Sequence, residues 1–235
     1  LFSLYQLSEA ETDIMRNLSL APLSGVQNRL FANWLKLRDM NTVNDLIEKG
    51  FIKAMEGRMI ALHPMMQEVT TEETKPSVQN CRTLLDSLQQ ICLRHGEEVS
   101  YYKQLFQTIE SVIVQIENND MPTYLRFLED VFPYMENYHY YPGMELVLDT
   151  LSALLKDVAV GSVSDRALLL SYQAACEKKA DKAIKMQKDA IAMIPEVTAD
   201  NALLVSNLYA NLGGMYRVNG KFEFSPLQLS VDKVL

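Results

Sequence analysis

Apolar residues recur every three to four positions along most of this chain, and the breaks in that rhythm divide it into segments. Ser8 and Glu11 form an S-x-x-E capping box ahead of a helix that carries Ile14, Met15 and Leu18 on one face. A second helix is expected over residues 26–35, where Val26, Leu30, Phe31 and Trp34 are apolar. A third starts at Asn41 as N-cap, presents Val43, Leu46 and Ile47, and stops at Gly50. The period then changes. Residues 51–55 and 58–62 read as short strands joined by Glu56-Gly57, a two-residue hairpin turn with Gly where a positive φ is needed.

From Pro76 onward the pattern is one of helical hairpins. Val78, Cys81, Leu85, Leu88 and Cys92 mark one helix, broken at Gly96, and Leu105, Ile109, Val112 and Ile116 mark its partner. After a break at 118–122, Tyr124, Phe127, Val131 and Tyr134 define another helix. Pro142-Gly143 is expected to turn the chain, and residues 144–158 complete that pair before Gly161-Ser162.

The sharpest local pattern comes late. Tyr209, Leu212, Gly213, Tyr216, Gly220 and Phe222 resemble the first helix and turn of a tetratricopeptide repeat (TPR), W-x2-L-G-x2-Y, with Tyr in the Trp slot. In that arrangement Gly213 lets two helices approach closely, Leu212 and Tyr216 fill the space between them, and Gly220 frees the turn. Leu170-Ser171, Ala183, Ala190 and Pro195 fall where the preceding repeat needs them. Ser164 and Ser206, as first positions of successive repeats, lie 42 residues apart, against the usual 34 or so. The extra residues, 196–205, lengthen the helices or the loop. The pairs starting near Ser77 and Met121 keep the same spacing, giving four units, the first two degenerate and the last departing from the pattern at Phe224-Ser225-Pro226. One such unit cannot bury its own apolar face, so tandem neighbours are required.

Three helices followed by a β-hairpin is the order of a winged helix, expected over residues 1–75. Leu18-Ser-Leu-Ala-Pro22 through Val26, Phe31, Trp34, Leu46-Ile47, Gly50-Phe-Ile52 and Leu62-His-Pro64 resembles the winged-helix region of the NB-ARC signalling ATPases, the STAND class of apoptotic and plant immune switches. Many members follow the wing with a Met-His-Asp motif, whose place is taken here by Leu62, His63 and Pro64. The resemblance implies that His63 reaches the β-phosphate of ADP held in a preceding P-loop domain and keeps the switch closed. Leu62 and Pro64 depart from the motif, although Pro64 suits the first position of a following helix. The other reading makes His63 a corner residue that caps that helix or packs against the wing. Tetratricopeptide repeats after the winged helix are a common layout in bacterial members.

Composition narrows the rest. A chain of 235 residues with 48% hydrophobic and 22% charged residues is a folded protein with a sizeable core. Cys81, Cys92 and Cys176 are scattered in apolar helical patterns, as expected of reduced core thiols, and no apolar run nears the roughly 18 residues of a membrane span. A cytoplasmic location is expected, with no membrane partner. The chain begins at Leu1 rather than Met, so it is expected to be part of a longer protein. A net charge of −8 opposes binding to nucleic acid. The third helix offers Asp45 and Glu48 against a lone Lys49, and the wing only Lys53 and Arg58, so the winged helix reads as a protein-contact module. Lys178, Lys179, Lys182, Lys185 and Lys188 alternate with Glu177, Asp181 and Asp189, as on a solvated helix face.

No G-x-x-x-x-G-K-[ST] occurs, so the chain has no phosphate cradle and is not expected to be an enzyme. His95 with Glu97 and Glu98 is the nearest approach to a metal-ligand cluster, but i and i+2 do not share a helix face and Gly96 intervenes. Cys92 and His95 have the spacing for a Cys-His pair, which would need a cleft and an orienting third group; Cys92 reads instead as core and His95 as the end of the helix, and no catalytic or metal residue is expected. Glu129 and Asp130 are adjacent on a helix and point apart, a poor acid/base pair. Tyr138-His139-Tyr140-Tyr141 is either a stacking or peptide-binding surface or packing around the turn that follows.

The sequence therefore predicts a mainly α protein: a winged helix (three helices plus β-hairpin) over 1–75, then a TPR-like α-helical solenoid over 76–235. The expected function is non-enzymatic. The solenoid binds a protein or peptide, and the winged helix relays that event to a nucleotide-binding domain upstream. No cofactor is expected in this chain itself; ADP or ATP would belong to the parent protein. The alternative is a TPR-containing transcriptional regulator acting on DNA.

Overall fold

Ser8 sets the first helix as its sequence requires. In the computed structural model, which describes residues 7–94 and 102–219, the Ser8 hydroxyl accepts from the Glu11 amide at 3.3 Å while the Glu11 carboxylate accepts from the Ser8 amide at 2.8 Å. The protein is mainly helical, with one small three-stranded sheet. It falls into two compact units, Leu1–Val147 and Leu148–Leu235.

The first unit opens with α1 (Glu9–Leu18), β1 (Val26–Gln27), α2 (Asn28–Trp34), α3 (Asn41–Glu48), β2 (Lys53–Met55), β3 (Met59–Ala61) and α4 (Pro64–Thr74). Val26 is not the first residue of a helix but a strand residue, paired with Ile60, so the hairpin becomes a sheet of order β1-β3-β2. Two residues of strand are too few to show a period of two in sequence, which is why they read as helix. Gly25, at φ +89°, makes the pairing feasible: a Cβ there would lie 3.0 Å from the Ile60 carbonyl oxygen. The hairpin turn also differs. Met55 pairs with Met59, leaving the connection to Glu56, Gly57 and Arg58, with Gly57 at φ +73° as expected and Arg58 also left-handed. Helix α3 begins at Asn41, but the N-cap residue is Met40 rather than Asn41, and the Asn41 amide donates to the Asp39 carboxylate at 2.9 Å.

Burial follows the apolar stripes. Ile14, Met15 and Leu18 of α1, Phe31 and Trp34 of α2, and Val43 and Leu46 of α3 are all buried with Val26, Ile52 and Ile60. At roughly 25 cal/mol per Å² of apolar surface, each large side chain so buried contributes about 1.5–3 kcal/mol. Gln67 of α4 donates to the carbonyls of Ser19 and Ala21, and Arg16 donates to the Thr74 carbonyl, so both ends of α4 are tied to α1 and the loop after it.

Four more helices follow: α5 (Arg82–Leu93), α6 (Tyr102–Gln115), α7 (Met121–Asn137) and α8 (Tyr141–Leu154). The α5–α6 pair is closed at its base by backbone bonds, Glu117 to Pro76 at 2.8 Å and Val78 to Glu117 at 3.0 Å. Pro142 and Gly143 do not turn the chain: they lie in the first turn of α8, and the reversal occurs one step earlier, at His139 with φ +53°. Proline fits a first helical turn, where no partner carbonyl is lost.

The second unit holds the C-terminal part of α8 with α9 (Val163–Cys176), α10 (Ala180–Ala192) and α11 (Ala202–Val218). Its core gathers Ala167, Ile184, Ala190, Ile191, Val205, Leu208, Leu212 and Tyr216. Ser162 and Asp165 supply a second capping box at the start of α9. Beyond residue 76, no element of the described chain is a strand.

Candidate functional site

Helices one hairpin apart contact each other directly. Arg82 of α5 donates to Thr123 Oγ1 of α7 at 3.0 Å, and Gln89 of α5 donates to the Asp130 carboxylate of α7 at 2.5 Å. Both pairs are 41 residues apart, so α5 and α7 run side by side in the same direction, in register. In the second unit Asn211 of α11 donates to Ser171 of α9 at 3.4 Å, a separation of 40 residues.

A cleft of about 650 Å³ opens along α5 and α7 within the first unit. Lys36, in the turn after α2, stands over it with a left-handed backbone at φ +53°. Its walls hold Arg82, Asp86 and Gln89 on one side and Thr123, Arg126 and Asp130 on the other. Arg82 is engaged through two of its nitrogens: Nε pairs with Asp86 at 2.8 Å, and Nη1 with Asp120 at 3.5 Å besides Thr123. Burial pushes the Asp130 carboxyl above the usual range, and the Gln89 amide and the Arg126 charge pull it back in part. Lys36 and Arg126 are exposed, and neither side chain makes a hydrogen bond or ion pair with a described residue. Chemically the cleft offers two cations to a ligand, beside a carboxylate that is already hydrogen-bonded.

His63 sits where the sequence places it, between β3 and α4, with Pro64 at the first helical position. It is the N-cap residue, but its side chain makes no cap bond, and it is exposed. Capping is therefore not what holds it.

His95, Glu97 and Glu98 lie outside the described residues, as do Gly96, Gly220, Phe222 and Phe224-Ser225-Pro226. Among the described residues no three His, Cys, Asp or Glu side chains come together as a metal site. Cys92, on the buried face of α5, has its thiol pushed up to about 12 by burial, far from a reactive thiolate. Tyr138 and Tyr140 belong to an aromatic cluster: Phe106 stacks on Tyr140 at 4.7 Å and Tyr102 on Tyr138 at 5.7 Å. Tyr141 points outward, 67% exposed.

Two features of the structure have weak signals in sequence. Gln89 and Asp130 are ordinary polar helix residues, visible as partners only once the period near 41 is applied to them. Gln187, completely buried in α10, was hidden in a Lys-rich helix. No helix among the described residues is long and apolar enough to cross a membrane. No protein-family model, curated protein or solved structure matches this chain.

Proposed function

We propose that this chain is the non-enzymatic regulatory and protein-binding portion of a STAND/NB-ARC-type signalling ATPase, in which TPR-like hairpins bind a protein or peptide and a winged helix relays that event to a nucleotide-binding domain. The observation that carries the scaffold reading is the in-register contact of helices 40 and 41 residues apart in both units. Tandem hairpins of one length stack in this way, and stacking leaves an extended surface whose side chains are free to recognise a ligand. Support for the winged helix comes from α1, α2 and α3 followed by the β2–β3 hairpin. The ADP role of His63 rests on the resemblance, and its exposure leaves the imidazole accessible to another domain.

The DNA-binding alternative is disfavoured by charge. Lys49, the cation at the end of α3, is paired with Glu11, while Asn44, Asp45 and Glu48 are exposed on the same helix. Such a face repels phosphates. The deciding experiment is to read the coding sequence upstream of Leu1. A P-loop domain is the expected result, and a basic DNA-binding domain there would replace this reading with the alternative.

A further inference from the structure

We infer that the cleft along α5 and α7 is a binding site for an acidic peptide segment, whose carboxylate is held between Lys36 and Arg126. The inference rests on the peptide-scaffold reading above and gives it a place and a ligand chemistry.

The walls are fixed before any ligand arrives. Arg82–Thr123 at one end and Gln89–Asp130 at the other are cross-links between the two helices, so the cleft need not form on binding. Within it, the cations divide into two kinds. Arg82 directs Nε and Nη1 to Asp86, Asp120 and Thr123, whereas no hydrogen bond or ion pair joins the Lys36 or Arg126 side chain to a described residue. A guanidinium offers a planar pair of N–H groups that matches a carboxylate, and an ammonium adds a flexible point charge from the opposite side. About 650 Å³ is within the range of small-ligand and peptide pockets and leaves room for backbone on either side of the carboxylate.

Charge also selects the class of anion. The acidic excess of the whole chain lies in the first unit, the second being balanced. A polyanion such as nucleic acid is repelled by that excess, while a single carboxylate reaching the two cations feels mainly its near neighbours, because salt screens charges beyond about 10 Å. Asp130 lies one helical turn from Arg126 and competes for it. Because Lys36 belongs to the turn after α2 and Arg126 to α7, an acidic peptide bound here touches the N-terminal three-helix portion and the hairpins at once.

The test is selection from a random heptapeptide library, displayed once with free and once with amidated C-termini, against this chain, followed by titration of the enriched peptides. The expected peptides carry Asp or Glu in both arms; a requirement for the free terminus would assign the same cations to a C-terminal carboxylate instead. Lys36→Glu and Arg126→Glu should each weaken binding at least tenfold, and Asp130→Asn, which frees Arg126, should tighten it. Lys185→Glu, on α10, should change nothing. Since Lys36 and Arg126 are exposed and on separate elements, a folding defect in one variant leaves the other to decide. Enriched peptides without acidic residues, or binding indifferent to both charge reversals, would overturn the inference while keeping the scaffold. Failure to enrich any peptide would count against both.

Discussion

The Ser171 hydroxyl of α9 donates to Oε1 of Gln187 in α10, 2.9 Å away and fully buried, while the Gln187 amide donates to the Leu208 carbonyl of α11 at 2.8 Å. One side chain thus fastens three helices at the centre of the second unit. Inside an apolar core each such bond contributes only about 1 kcal/mol net, but an orphaned partner costs about 1–3 kcal/mol. Gln187→Met is therefore expected to lower stability by about 2 kcal/mol, and adding Ser171→Ala should cost less than the sum of the two single changes. Urea unfolding of the four proteins measures this; simple additivity would show that Ser171 and Gln187 are not coupled.

The two glycines of α11 are expected to respond in opposite directions. A Cβ at Gly214 would meet nothing within 4 Å, and its φ is helical, so Gly214→Ala should stabilise by about 0.5–1 kcal/mol through the lower entropy of the unfolded chain. Gly213 is half-buried beside Leu212. Gly213→Leu should overpack that side and cost about 1–3 kcal/mol. Melting temperatures decide between them, and an unchanged value for Gly213→Leu would place that residue toward solvent.

Such local rules were the legible part of this chain. The Ser8–Glu11 capping box and the positive φ of Gly57 are written in residue types that admit few other uses. Val26 reads as helix because a two-residue strand has no measurable period, and its pairing with Ile60 depends on residues far along the chain. The turn at His139 is not legible because the nearby Pro142-Gly143 carries the stronger turn signal, yet a proline in a first helical turn is equally at home. The cleft was not legible for the same reason as the strand. Its cations and cross-links come from α5, α7 and the turn after α2, and nothing local marks them as neighbours.

The first helix should show an acid-dependent stability. Lys49 bonded to the Glu11 carboxylate, aided by the Ser8 amide, holds that carboxyl below its ordinary 4.5. A group with a lowered folded-state pKa contributes stability that is fully present above the unfolded value and is lost as pH falls through the folded one. Ser8→Ala should cost about 1 kcal/mol at neutral pH. The stability difference between wild type and Glu11→Gln should shrink as pH falls below 4.5. A difference that stays constant from pH 7 to pH 3 would mean that the ion pair does not hold in solution.

No binding to duplex DNA is expected at physiological salt. Six to ten phosphate contacts need as many available cations, and α3 offers only Lys49, which is already paired with Glu11. A salt-sensitive mobility shift at micromolar protein would overturn this and bring the DNA-binding alternative forward.

The last prediction concerns His63 and tests the proposed relay. Its side chain makes no cap bond at the start of α4, and it is exposed, so little in this chain depends on it. His63→Ala should therefore leave the melting temperature of the isolated chain within about 0.5 kcal/mol equivalent of wild type. In a full-length switch the same imidazole, bonded to a phosphate oxygen of ADP, would favour the closed state, because hydrogen bonds to charged groups contribute about 1.5–3 kcal/mol. Losing it shifts the equilibrium toward opening by that differential affinity. Comparison of ADP release from full-length wild type and His63→Ala should show roughly tenfold or greater acceleration, since 1.4 kcal/mol is a factor of ten. An unchanged release rate would assign His63 to the structural corner between β3 and α4 and would remove the nucleotide contact from the proposed relay.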